Sequence, residues 1–167
     1  MRNAIIAISI FAATAAASAA EGHDANGLLR GAAPVQNVFA EPNQIAGLLQ
    51  TEGYVAKIDK DQDDDPTVRS SSQRAKWSIY FCGCSKHINC KAVQLHSSFT
   101  TQGKVSLDQV NTWNRTQRFA TAVLDKDGDV TIKMDVHLGA GVSEDAFKND
   151  LGVWDSQLGE FLKYIGW

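Results

Sequence analysis

Three thiols and one imidazole crowd into the segment Cys82-Gly83-Cys84-Ser85-Lys86-His87-Ile88-Asn89-Cys90. These are the side chains that soft-metal binding and disulfide chemistry both use, so two chemistries compete for the same residues. In the first, Cys84 and Cys90 bracket a hairpin loop and face each other as a non-hydrogen-bonded antiparallel pair. Their Cα atoms then stand about 4.5 Å apart, within disulfide range at its short end. Cys82 and Cys84 lie on one strand, where a rise of about 3.3–3.4 Å per residue puts them near the upper limit for a bridge. A bridge across so small a loop contributes about 2 kcal/mol in the chain-entropy description. This pairing makes Cys82 the odd thiol, facing Ala92 on the side opposite Trp77 and Phe81. Its default role is buried and inert, because only Lys86 or His87 stands close enough in sequence to lower its pKa. In the second chemistry Cys82, Cys84, His87 and Cys90 clamp a soft metal. A thiol-redox protein working through Cys82 is the remaining alternative.

Other constellations are weaker. The run Asp59 to Asp65 and the run Asp125-Lys126-Asp127-Gly128-Asp129 invite a calcium reading. An EF-hand counted from Asp125 needs Gly and Glu where Val130 and Val136 stand, and one counted from Asp59 meets Asp64 and Ser70 instead. Asp127-Gly128 reads better as hairpin chemistry, and Asp59 to Asp65 as a solvated turn. The sequence shows no phosphate loop, no Gly-x-Ser-x-Gly elbow and no His pair with Glu on a helix. His23, His96 and His137 are not spaced as a ligand set. No enzyme activity and no cofactor are expected.

The amino terminus sets the address. Arg2 precedes an apolar run containing Ile5, Ile6, Ile8, Ile10 and Phe11, and Ala17-Ser18-Ala19-Ala20 supplies the small residues of a cleavage site. The pattern is that of a secretory leader over residues 1–20, cut near Ala20, and it places the protein in the periplasm or outside the cell. An oxidising compartment favours the Cys84–Cys90 bridge over a metal clamp. The chain carries 16 Lys and Arg against 19 Asp and Glu, a net charge of −3 that becomes −4 when Arg2 leaves with the leader. That balance argues against nucleic acid. No other stretch reaches membrane length, so no span is expected after cleavage.

Residues 21–41 are rich in Gly, Ala, Asn and Pro and are expected to be a flexible tether. Residues 42–167 then form one domain. A helix starts at Pro42, with Ile45, Leu48 and Leu49 on one face and Gly53 as its stop. Tyr54 to Asp59 alternates as a strand, and a short polar strand, Thr67 to Ser71, pairs back across the acidic turn. In the next strand Trp77, Ile79 and Phe81 alternate with Ser78, Tyr80 and Cys82; in the one after, Val93, Leu95 and Phe99 share a parity. Ser106 and Gln109 form a variant capping box opening a short helix that carries Leu107, Val110 and Trp113. Two strands flank Asp125 to Asp129, the second alternating through Val130, Ile132, Met134 and Val136. A last helix opens at Ser143 with Glu144 and Asp145 in its first turn and carries an apolar stripe of Phe147, Leu151, Trp154, Leu158, Phe161 or Leu162, and Ile165. Gly152 and Gly159 lie on one side of it, as tolerated surface glycines or as a point of close approach. Trp77, Trp113 and Trp154 are expected in the core; Trp167 either caps it or reaches a partner. The fold class is α+β, an antiparallel sheet of about six strands in the order α-ββββ-α-ββ-α.

Several local patterns resemble the YbjN-like family of bacterial sensory transduction regulators. They are Leu48-Leu49-x-x-Glu52-Gly53-Tyr54 leading to Asp59-Lys60-Asp61, then Tyr80-Phe81-x-Gly83-Cys84 with Cys90 and Leu95. Asn111-x-Trp113-Asn114, Arg118-Phe119, Leu124-Asp125-x-Asp127-Gly128-Asp129 and Met134-Asp135 follow in order. The resemblance covers about Gln44 to Phe161. It implies a fold similar to type III secretion chaperones, which bind extended segments of protein partners and often dimerise, and so implies an unidentified protein partner and a homodimer. It also supports the Cys84–Cys90 pair, since Cys82 looks like an addition to the family pattern. The leader is a departure from cytoplasmic members, and an exported chain does not simply inherit their role.

Overall fold

The computed structural model describes residues 36–167. The expected leader and residues 21–35 of the expected tether lie outside the described residues. Along the chain come β1 (Asn37–Val38), α1 (Pro42–Thr51), β2 (Lys57–Lys60), β3 (Pro66–Ser72), β4 (Ala75–Cys82), β5 (Ala92–Phe99), α2 (Leu107–Thr116), β6 (Thr121–Leu124), β7 (Val130–His137), β8 (Val142–Ser143) and α3 (Glu144–Ile165). With the two-residue strands β1 and β8 set aside, this is the α+β order α-ββββ-α-ββ-α. The six long strands form one antiparallel sheet in the spatial order β2-β3-β4-β5-β7-β6.

Each helix is delimited by chemistry visible in the sequence. Pro42 opens α1 where a missing N–H costs nothing, and Gly53 follows its end with φ +85°. Ser106 and Gln109 cap α2 reciprocally: the Gln109 N–H donates to Ser106 Oγ at 3.2 Å, and the Ser106 N–H donates to Gln109 Oε1 at 2.9 Å. Ser143 Oγ accepts the Ala146 N–H at the start of α3, and Gly166 closes it in the left-handed region.

Strand periodicity sorts the sheet into two faces. Val68, Trp77, Ile79, Phe81, Val93, Leu95, Phe99, Ala122, Val130, Ile132, Met134 and Val136 are all buried, and they pack with Ile45, Leu49, Val110, Trp113, Phe147, Leu151, Trp154, Leu158 and Phe161 of the helices in one core. Aromatic rings join the layers, with Trp77 on Trp154 at 6.0 Å and Trp113 on Phe161 at 4.9 Å.

The structure corrects several details. Residues 36–41, expected as the end of the tether, are docked: β1 pairs with β8, and Val38 and Ala40 are buried. Low apolar content hid this because only two side chains of the segment are buried and its backbone pairs at few points, Asn37↔Ser143, Val38↔Val142 and the Ala40↔Cys90 bridge. Of the apolar residues of α2, Val110 and Trp113 are buried, whereas Leu107, the first residue of the helix, is exposed. Strand β2 starts at Lys57; Tyr54 instead turns inward onto Trp77 and donates its hydroxyl to Asp155 Oδ2 at 2.9 Å. Gly152 meets open space, whereas Gly159 lies against the Gln73 side chain. Trp167 stays largely exposed yet rests its ring 5.0 Å from Phe99, so it caps the core edge.

Candidate functional site

The cysteine segment closes the β4–β5 hairpin. Ser85 and Ile88 exchange main-chain hydrogen bonds of 2.7 and 3.2 Å around Lys86 and His87, which both have positive φ, so the tip is a type I′ turn built without glycine. Cys84 and Cys90 face each other beneath it with Sγ atoms 2.07 Å apart, at disulfide distance, and Cα atoms 3.8 Å apart. The β4–β5 register runs Cys82↔Ala92, Tyr80↔Gln94 and Ser78↔His96, the register that pairing of Cys84 with Cys90 requires.

This geometry separates the four residues of the metal reading. The sulfurs of Cys84 and Cys90 engage each other, His87 Nδ1 lies 2.6 Å from Asp65 Oδ1, and Cys82 is half-buried on the far face with its thiol donating to the Tyr80 carbonyl at 3.9 Å. Among the described residues no three His, Cys, Asp or Glu side chains are grouped to hold a metal ion. Burial pushes the Cys82 thiol pKa up, and the carboxylates of Asp135 and Asp65 push it further. The thiolate needed for redox attack is therefore disfavoured at this position.

The acidic runs organise their own backbones. Asp61 Oδ1 accepts the N–H groups of Asp63 and Asp65, and Asp125 Oδ1 accepts those of Asp127 and Asp129, each at 2.9–3.0 Å. Both leading carboxylates act as turn formers.

The larger feature is the face of the sheet away from the helices. Its side chains come from alternate positions of every strand, and apart from Thr67 none of them is buried. Tyr80 and His96 make an edge-to-face pair at its centre, with centroids 5.2 Å apart. Burial holds the His96 pKa below its ordinary value, and Lys133 lowers it further. Around this pair Gln94 Nε2 donates to Asp135 Oδ1 at 2.9 Å, Ser98 and Thr131 hydroxyls share a 2.8 Å hydrogen bond, and Arg69 Nε meets Asp59 Oδ2 at 3.1 Å. The acidic turn curls over one side, leaving an open concavity of about 670 Å³ lined by Asp61, Asp63, Thr67, Arg69, Ser78 and Tyr80 among others.

The sheet edges are less available. At β6 the Ala122 N–H donates to Asn114 Oδ1 at 2.7 Å and Asn114 Nδ2 donates to the Ala122 carbonyl at 2.9 Å, so one side chain of α2 occupies both main-chain groups. At β2 the edge is a four-residue strand carrying Lys57, Asp59 and Lys60, and the Lys60 N–H donates to Asp59 Oδ1. Short, charged edges resist strand addition. Sequence reasoning did not name the residues of the open face, because its make-up depends on which residues of non-adjacent strands stand side by side. Among the described residues no helix is long and apolar enough to cross a membrane.

Comparison with known proteins gives two findings. Residues 41–167 match the family profile YbjN, described as "Putative bacterial sensory transduction regulator". The crystal structure of YbjN from E. coli, described as "a putative transcription regulator", superposes with a TM-score of 0.60 at 11% identity, over 75% of this chain and 90% of that one. At that identity the likeness shows the fold. No curated protein gives a significant match.

Proposed function

Because this chain belongs to the YbjN family, whose description is that of a regulator and not of an enzyme, we propose that it is an exported, non-enzymatic binding module that holds a segment of a protein partner on the open face of its sheet. The observation that carries this reading is the contrast between face and edges. Six strands present a side-chain-rich face, left uncovered by the described residues, with an aromatic pair and a concavity, while Asn114 caps one edge and charge blunts the other. Concave surfaces with a few directed polar groups are the usual form of a binding site. The leader-like segment of residues 1–20 supports export, and in an oxidising compartment Cys84 and Cys90 remain joined, fixing the hairpin at one end of that face.

The homodimer implied by the chaperone likeness belongs to the same reading and is measured by light scattering of the purified protein. Crosslinking in intact cells, with identification of the captured proteins, tests the binding role. A specific partner recovered at native abundance supports the proposal, and recovery of none overturns it.

A further inference from the structure

The open face is not electrically uniform. One cross-strand row traverses all six strands in register, Lys57↔Arg69↔Ser78↔His96↔Lys133↔Thr121. Lys76 stands beside it on β4, opposite Ser71. Four cations thus gather on one surface of a chain whose net charge is −3. Arg69 is partnered by Asp59, while Lys57, Lys76 and Lys133 enter no ion pair among the described residues. The neighbouring row, Asp59↔Thr67↔Tyr80↔Gln94↔Asp135, carries a carboxylate at each end.

We propose that the Lys57–Arg69–Lys133 row, with Lys76 beside it, is a docking track for an extended acidic peptide segment of a protein partner. The inference rests on the open-face reading and names the chemistry of its occupant. Charge complementarity supplies the first support. Length supplies the second: four strand spacings of about 4.8 Å from Lys57 to Lys133 make a track of about 19 Å, the span of about six extended residues. The flanking acids select the form of the anion. A duplex or an anionic bilayer is a broad negative surface and would press on Asp59, Asp61, Asp63 and Asp135, whereas a single chain can lie along the row and avoid them. At the middle of the row His96 and Tyr80, paired edge to face, offer ring surface for an apolar residue between the carboxylates.

The test measures binding of a fluorescein-labelled Glu-rich octapeptide to the purified protein, beside a Lys-rich octapeptide, a single-stranded DNA octamer and vesicles of anionic phospholipid. The acidic peptide is expected to bind alone, and more weakly as salt is raised. Lys76→Glu with Lys133→Glu should lower its affinity about tenfold or more, and Asp135→Asn should raise it about two- to threefold, a gain that misfolding cannot imitate. Equal binding of the Lys-rich peptide, tighter binding of DNA or vesicles, or unchanged affinity in the double variant overturns the proposal. A partner captured through Ser78 by a neutral or basic segment overturns the acidic assignment alone, leaving the open-face reading intact.

Discussion

The two faces of the sheet are made from the same strands and follow opposite rules. On the helix side, Trp77, Ile79, Phe81, Val93 and Leu95 are sealed beneath α1 and α3, and their contribution is to stability. One residue along each strand, Ser78, Tyr80, Gln94 and His96 stand on a surface that no element among the described residues covers. The period of two explains how one sequence builds both. The difference teaches where to look for function: substitutions on the covered face should be read in stability, and those on the open face in binding.

The comparison breaks first at its most buried point. Trp154 is wholly buried against Trp77, so Trp154→Ala should cost about 3–5 kcal/mol in a urea melt. A smaller loss is expected at the guarded edge, where Asn114→Ala frees the Ala122 N–H and carbonyl. It should cost about 1–3 kcal/mol and shift the protein toward larger species in light scattering, since an uncapped strand invites pairing. Replacing Cys84 and Cys90 by Ser should lower stability by about 2 kcal/mol, seen as a lower melting temperature, with the same readout from reductant on the unaltered protein.

The open face should respond to pH before it responds to truncation. His96 has a folded-state pKa below 6.5, so the unfolded chain takes up its proton first. The stability contributed by neutral His96 is present above pH about 6.5 and is lost as pH falls from there to the folded pKa. His96→Gln should flatten that slope in melts across the range. The smallest effect is expected at Lys133 and Lys76, where replacement by Ser should stay within about 0.5 kcal/mol of the parent while still altering peptide affinity.

Much of this division could be read from residue order, and the part that could not has a physical cause. Alternation in β4, β5 and β7, the Pro42 and Ser143 helix starts and the Ser106–Gln109 capping box are local signals, and local signals survive in one dimension. The Cys84–Cys90 pair even sets the β4–β5 register, because joining those two residues places Ser78 opposite His96. The row from Lys57 to Lys133 was not legible, since β5 pairs with β7 across the intervening α2 and β6 and no turn residue encodes that register. The β3–β4 turn was hidden as well. Gln73 and Arg74 both adopt positive φ there, a conformation normally announced by Asn or Gly. Docking of Val38 and Ala40 was hidden by the composition around them, since two buried side chains leave no periodic trace.

The central claim is that the open face, and not the helix side, meets the partner. A photo-crosslinking residue placed at Ser78, in the middle of the open face, is compared in intact cells with the same residue at Ser156, on the exposed side of α3. A specific protein adduct at position 78 and none at 156 is the predicted result; the same adducts at both positions, or an adduct at 156 alone, would contradict it.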